Sequence, residues 1–245
     1  MLNGKQSLGV MAATDPKLRR VLERLGIDYV SCGDATLEDA AASEGLSVSA
    51  IEKELEREPV IDERRVASNG TPLTITLDVL RREHRTVISD LLWRTSMQFD
   101  LIHDRHLLEQ PAFHAMRIRF EGLVTKIAAH IEREDEIAFP LIAAMESAWI
   151  HGTEPPPPIG GGLRRMVASV YMQHAGVNSD LKALRGDRRW LEAASTHPDC
   201  TRLIENLTAL EKQLHETMNL ENFVIYPAAI ALEDQLYAVT AEALV

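Results

Sequence analysis

The stretch "HIEREDEIAFP", His130 to Pro140, decides how the rest of the chain is read. It has the look of ordinary helix ending at a proline, yet it sets a histidine four residues before a glutamate. Residues i and i+4 lie about 40° apart around a helix, so His130 and Glu134 project from successive turns of one face toward the same point. A second stretch, "TMNLENFVIYP" from Thr217 to Pro227, repeats the pattern, with Glu221, Tyr226 and Pro227 at the offsets of Glu134, Phe139 and Pro140. Upstream, His84 precedes Glu134 by 50 residues and His174 precedes Glu221 by 47. Two helical hairpins related by an approximate two-fold are therefore expected, each giving a histidine from its first helix and a glutamate from its second.

Outward from these stretches, apolar residues recur at alternating spacings of three and four from residue 73 onward, the signature of a bundle seam. Four seams can be written. The first runs Leu73, Leu77, Leu80, His84, Val87, Leu91, and the second Met116, Phe120, Leu123, Ile127, His130, Glu134, Ile137, Leu141. After the breaker "EPPPPIGGG" the third runs Leu163, Val167, Val170, His174, Val177, Leu181, Leu184, and the fourth Leu203, Leu207, Leu210, Leu214, Thr217, Glu221, Val224. Each carries an imidazole or a carboxylate in mid-seam. Burying such a group is costly unless it is paired, hydrogen-bonded or bound to a cation, and one shared metal centre compensates all four seams together. Carboxylates that can bridge two hard cations, flanked by imidazoles, suit a pair of iron or manganese ions better than structural zinc.

Where the second seam has His130, the fourth has Thr217. Five protein ligands are expected, His84, His130, Glu134, His174 and Glu221, leaving either an open coordination position for water or a small molecule or one weakly occupied metal position. The nearest histidine to the gap, His215, points about 120° away from Glu221 and is expected to be exposed. His103 and His106 in "HDRH" form a weaker accessory pair, Tyr171 could approach the metal from the face of His174, and His114, His151 and His197 are expected at the surface.

The N-terminal part reads as three short helices: "TDPKLRRVLERLG" capped by Asp15 with Pro16 at its first position, "TLEDAAASEG" opened by Thr36 and "SVSAIEKELE" opened by Ser47, with Gly26 and Gly45 at C-terminal stops. The expected organisation is a small helical domain over residues 1–58, a linker over 59–72 rich in proline, glycine and mixed charge, and a bundle over 73–245. The fold class is all-α: an up-down four-helix bundle with a small N-terminal helical domain.

The net charge of −11 and the lack of a Lys/Arg-rich block argue against nucleic acid and anionic membrane as partners. No apolar run reaches the roughly 18 residues of a membrane span and no leader is visible, so a cytoplasmic location is expected. The two cysteines, Cys32 and Cys200, form neither a disulfide framework nor a CxxC motif. Cys32, in "YVSCGD", reads either as a small residue in a tight turn or as a thiolate that passes iron or electrons.

The set His84, His130 with Glu134, His174 and Glu221 in "ENFVIYP" resembles the hemerythrin-like HHE bundle. Together with the N-terminal module "VLERLGIDYVSCGDATLEDAAASEGLSVSAIEKELE", it is similar to the repair-of-iron-centres family over nearly the whole chain. The resemblance implies a non-haem di-iron centre with Glu134 and Glu221 as bridges, binding of oxygen, nitric oxide or peroxide, and restoration of iron-sulfur clusters in proteins damaged by oxidative or nitrosative stress. It also implies that a nitric oxide reductase-like or iron-donating activity is to be sought. The chain departs from the family's pattern in carrying Cys32 alone where adjacent cysteines are usual, Thr217 where the sixth ligand is expected, and "QHAG" where acidic residues commonly flank the histidine. Thr217 would then hydrogen-bond a small molecule in the vacancy. The alternatives are a non-enzymatic oxygen or nitric oxide sensor or carrier, and a bundle with a partly lost metal site.

Overall fold

The computed structural model describes residues 4–30, 32–58, 71–105, 110–158, 160 and 162–242. The expected linker, apart from Thr71 and Pro72, lies outside them, as does His106. Among the described residues the fold is all-α, a helical bundle, as the seams predict.

Four short helices come first: α1 (Leu8–Thr14), α2 (Pro16–Leu25), α3 (Leu37–Ser43) and α4 (Val48–Arg57). The caps are those read from the sequence. Asp15 accepts from the Lys17 and Leu18 amides at 3.0 and 3.1 Å, Thr36 from Asp39 and Ser47 from Ala50, while Gly26 and Gly45 take left-handed conformations at the helix ends. Three of these helices are the expected ones; α1, a single pair of turns opened by Ser7, is an addition.

Four helical rods follow. The first is α5 (Leu73–Val79), a π-turn (Leu80–Arg85) and α6 (Thr86–Asp104); the second is α7 (Pro111–Arg133), a π-turn (Glu134–Ala138) and α8 (Phe139–His151). The third is α9 (Gly162–Ala194), unbroken; the fourth is α10 (Pro198–Leu220), a π-turn (Glu221–Ile225) and α11 (Tyr226–Glu242). Helix does not end at Pro140 or Pro227. Each proline lacks the N–H that would bond the carbonyl four residues back, and its ring crowds that carbonyl. The chain answers by widening one turn: the Phe139 amide bonds back to the Glu134 carbonyl, and the Tyr226 amide to that of Glu221, both five residues apart.

A π-turn inserts one residue into the helical repeat, so every inward position beyond it moves by one. Ile137 and Leu141, expected on the seam, are respectively exposed and half-buried, while Ala138 and Ile142 are buried. In the same way Ile88 replaces Val87, which is exposed, and Ile225 replaces the half-buried Val224. The third rod has no π-turn, and all seven of its expected seam residues from Leu163 to Leu184 are buried.

The chain divides into two compact units. One comprises Met1–Leu77, Met145–Pro155 and Glu216–Val245. In it the buried carboxylate of Glu146 accepts from the Leu73 and Thr74 amides at 2.5 and 2.8 Å, capping α5 from another helix. The ring of Phe223, in the π-turn that starts at Glu221, fills the space above Gly9 and Gly33, where a Cβ would come within 2.4 and 2.0 Å of it. Asn219 fastens the same contact by donating from Nδ2 to the Gly9 carbonyl at 3.1 Å. The other unit comprises Asp78–Ala144 and Pro156–His215; α7 and α9 pack along each other in it, and Phe99 stacks at a tilt on Phe113 and Phe120.

Candidate metal centre

His130 and Glu134 stand one turn apart, at the end of α7 and the first residue of its π-turn, as the i, i+4 spacing requires. His174 comes from the middle of α9. The Nε2 atoms of His130 and His174 are 3.2 Å apart, and His130 Nε2 lies 3.3 Å from Glu134 Oε2. Among the described residues, one group of metal-ligand types has donor atoms near enough to share an ion: His130, Glu134, His174 and Glu221, all within 4.8 Å of one another. Glu134 and Glu221 are each 1% exposed and His174 3%; the His130 side chain, at 11%, is the most accessible.

The ligand chemistry fits a cation. Opposed donors around one first-row ion stand about 4.2 Å apart, twice a bond of roughly 2.1 Å, so a 4.8 Å spread closes on an ion with little movement. His130 Nδ1 lies 2.9 Å from Gln173 Oε1; a carbonyl oxygen only accepts, so Nδ1 donates that bond and the ring is held with Nε2 facing Glu134 and His174.

His84 lies outside this group of four. It is half-buried in the first π-turn, its Nδ1 2.9 Å from the side-chain amide of Gln213. The next residue, Arg85, is the one that turns inward, to 6% exposure. Its Nη2 donates to Glu134 Oε2 and its Nη1 to Asp135 Oδ1 at 2.5 Å, and its guanidinium lies over the Phe139 ring, 4.5 Å from the centroid. Arg85, Gln173 and Gln213 are not among the residues that the seams mark. Arg85 sits one position off the seam as written and reaches it only because of the π-turn, while glutamines on a helix carry no signal by themselves.

Thr217 is buried, 6% exposed, one turn before Glu221. His215, expected at the surface, is half-buried, its Nε2 bonded to Asn178 Oδ1 at 3.0 Å, because α10 sets it against the buried Asn178 of α9. Tyr171 is 40% exposed: three residues before His174 it falls on the outer side of α9. His103, His114, His151 and His197 are exposed. Cys32 is exposed in a turn closed by its amide to the Asp28 carbonyl at 3.2 Å, and its neighbour Gly33 is the residue that meets Phe223. Among the described residues no helix is long and apolar enough to cross a membrane.

The fold and site define a class, an all-α bundle with a buried cluster of histidines and glutamates of the kind that holds a metal ion. No family model matches the chain. It is similar along most of its length to proteins named iron-sulfur cluster repair protein YtfE. That of Edwardsiella ictaluri (strain 93-146) is 24% identical over 229 residues, spanning 91% of this chain and 96% of that protein. That of Enterobacter sp. (strain 638) is 22% identical over 237 residues, spanning 93% and 98%. The match to the protein of Pectobacterium carotovorum subsp. carotovorum (strain PC1), 25% identical over 142 residues, spans 56% of this chain and 62% of that one. The resemblance to the repair-of-iron-centres family thus extends over both the N-terminal module and the bundle.

Proposed function

We propose that this chain is an iron-binding protein of the stress response, acting in the cytoplasm in the repair of iron-sulfur clusters damaged by oxidative or nitrosative agents. The observation that carries the reading is the convergence of His130, Glu134, His174 and Glu221 within 4.8 Å, at positions that match the ligand pattern of the resembling family. The likeness over most of the chain to proteins named for cluster repair supports it.

In this reading His130, Glu134, His174 and Glu221 hold the iron, with Glu134 and Glu221 as carboxylates able to bridge two ions and His84 as a further terminal ligand. Two non-haem irons are the full complement, the second held more weakly because Thr217 stands where a sixth ligand would be. Bound iron would supply a redox-active centre with a position open to nitric oxide, oxygen or peroxide. The protein's own groups do the rest. Gln173 fixes the ring of His130, the apolar rods keep bulk water from the carboxylates, and the Thr217 hydroxyl offers a hydrogen bond in the space left by its short side chain. Cys32, exposed beside the Gly33–Phe223 contact, is available to exchange iron or electrons with a damaged client.

The test is repair itself. An iron-sulfur dehydratase inactivated by nitric oxide should regain activity when incubated with the iron-loaded protein, and a Glu134→Ala/Glu221→Ala variant should restore none. Equal recovery with and without the loaded protein would refute the proposal.

A further inference from the structure

Glu134 already has a cation. The guanidinium of Arg85 is 6% exposed, donates to Glu134 Oε2, and is held in place by Asp135 Oδ1 at 2.5 Å and by the Phe139 ring. Asp135 is itself shared with Arg81, whose Nε donates to the same oxygen at 3.0 Å and whose guanidinium also lies over Phe139, 5.3 Å from the centroid. The arginine is not fully satisfied there: its buried Nε has no hydrogen-bond partner among the described residues. All of these groups belong to one compact unit: Arg81 and Arg85 on the first π-turn, Glu134 and Asp135 at the start of the second rod's π-turn, and Phe139 just after it.

A carboxylate buried to this degree is costly without a counter-charge, and a fixed cation removes that cost whether or not a metal is present. The same oxygen is then engaged when a metal arrives. The ion must share Glu134 with a positive charge in direct contact with it, or displace that charge from an orientation that the Asp135 and Phe139 contacts favour. Either course weakens binding, since an ion's apparent affinity falls by whatever stabilises the ion-free state.

We propose that Arg85 is a built-in competitor for the metal: a positioning residue that takes the place of a cation at Glu134 when the site is empty and holds metal affinity down, so that the ion is exchangeable rather than permanently sequestered. This rests on the metal-centre reading above. A site that gives up its ion is what iron transfer to a client requires, and the arginine supplies it without leaving a naked carboxylate behind.

Cobalt(II), which prefers the same nitrogen and oxygen donors and absorbs visibly when bound, serves as the probe in anaerobic competition titrations against a chelator. Arg85→Gln, which keeps a hydrogen-bond donor but no charge, should bind cobalt about 10- to 100-fold more tightly than the wild type. Its metal-free form should melt lower, and cobalt should raise its melting temperature by more than it raises that of the wild type. Arg85→Lys retains the charge and should stay within about threefold of wild-type affinity. Should Arg85→Gln be unfolded without metal, recovery of its helical circular dichroism on adding cobalt supports the proposal, and failure to recover refutes it. Equal or weaker cobalt binding by Arg85→Gln, with the wild type binding normally, overturns the role of Arg85 and leaves the metal centre standing. No cobalt bound by either protein overturns both.

Discussion

His130 and His174 meet edge-on across α7 and α9, their rings 4.7 Å apart between centroids and their Nε2 atoms 3.2 Å apart. In such a contact one ring nitrogen donates to the other, and a bound cation would take the place of that proton between the two lone pairs. The two rings therefore act as a unit.

Removing either should cost nearly as much metal affinity as removing both. His130→Ala and His174→Ala are each expected to weaken cobalt(II) or iron(II) binding by 100-fold or more, and the double variant to add little, because groups in direct contact do not behave independently. Calorimetric titration of the three variants measures this. Strictly additive losses would mean that the rings do not share one ion.

The π-turn at Glu134 follows from Pro140, and it opens at the glutamate that accepts from Arg85. Pro140→Ala restores the missing N–H and relieves a helix-interior proline that would by itself cost about 3 kcal/mol. The metal-free variant should melt at the wild-type temperature or above it, while its metal affinity falls about tenfold as the turn tightens and Glu134 rotates. Unchanged affinity in a more stable protein would show that the widened turn has no part in the site.

Gly33 is needed for space. A Cβ there would lie 2.0 Å from the rigid Phe223 ring and 2.7 Å from the Tyr29 carbonyl. Gly33→Ala should lower stability by about 1–3 kcal/mol, the usual cost of overpacking, and Phe223→Leu in the same chain should recover part of it. Chemical denaturation of the double-mutant cycle decides the matter; a Gly33→Ala protein of wild-type stability contradicts the contact.

Hydrogen bonds from Arg24 and from Arg20 hold the Glu58 carboxyl below the ordinary carboxylate range. A carboxyl whose folded-state pKa is depressed stabilises the fold above its unfolded value and loses that contribution as pH falls through the folded one. Glu58→Gln should therefore melt below the wild type at neutral pH, with the gap closing as the solution is acidified past the normal carboxylate range. A gap independent of pH would show that the ion pairs are idle.

Much of this architecture is legible in the sequence, and most of the part that is not has one physical origin. The caps at Asp15, Thr36 and Ser47 act locally and were read correctly. The unbroken α9 obeyed its period over its whole seam, and the spacing of His130 and Glu134 predicted their meeting. The differences at Val87, Ile137 and Val224 all lie within or just beyond a π-turn, where a repeat written for 3.6 residues per turn slips by one. Pro140, which marks one of those turns, reads in the sequence as a helix end, yet the helix runs on through it. Arg85 was lost to the same slip. His215 was misplaced for a different reason: its partner Asn178 lies on another helix, and a tertiary hydrogen bond of that kind leaves no trace in local periodicity.

On the proposed function, His130, Glu134, His174 and Glu221 are buried together because they hold iron. Iron analysis after anaerobic reconstitution with iron(II) and removal of loose metal tests it most directly. At least one iron per wild-type chain is predicted, falling below a tenth of that in His130→Ala/Glu134→Ala; negligible iron in a folded wild-type protein, or equal iron in the two, would contradict it.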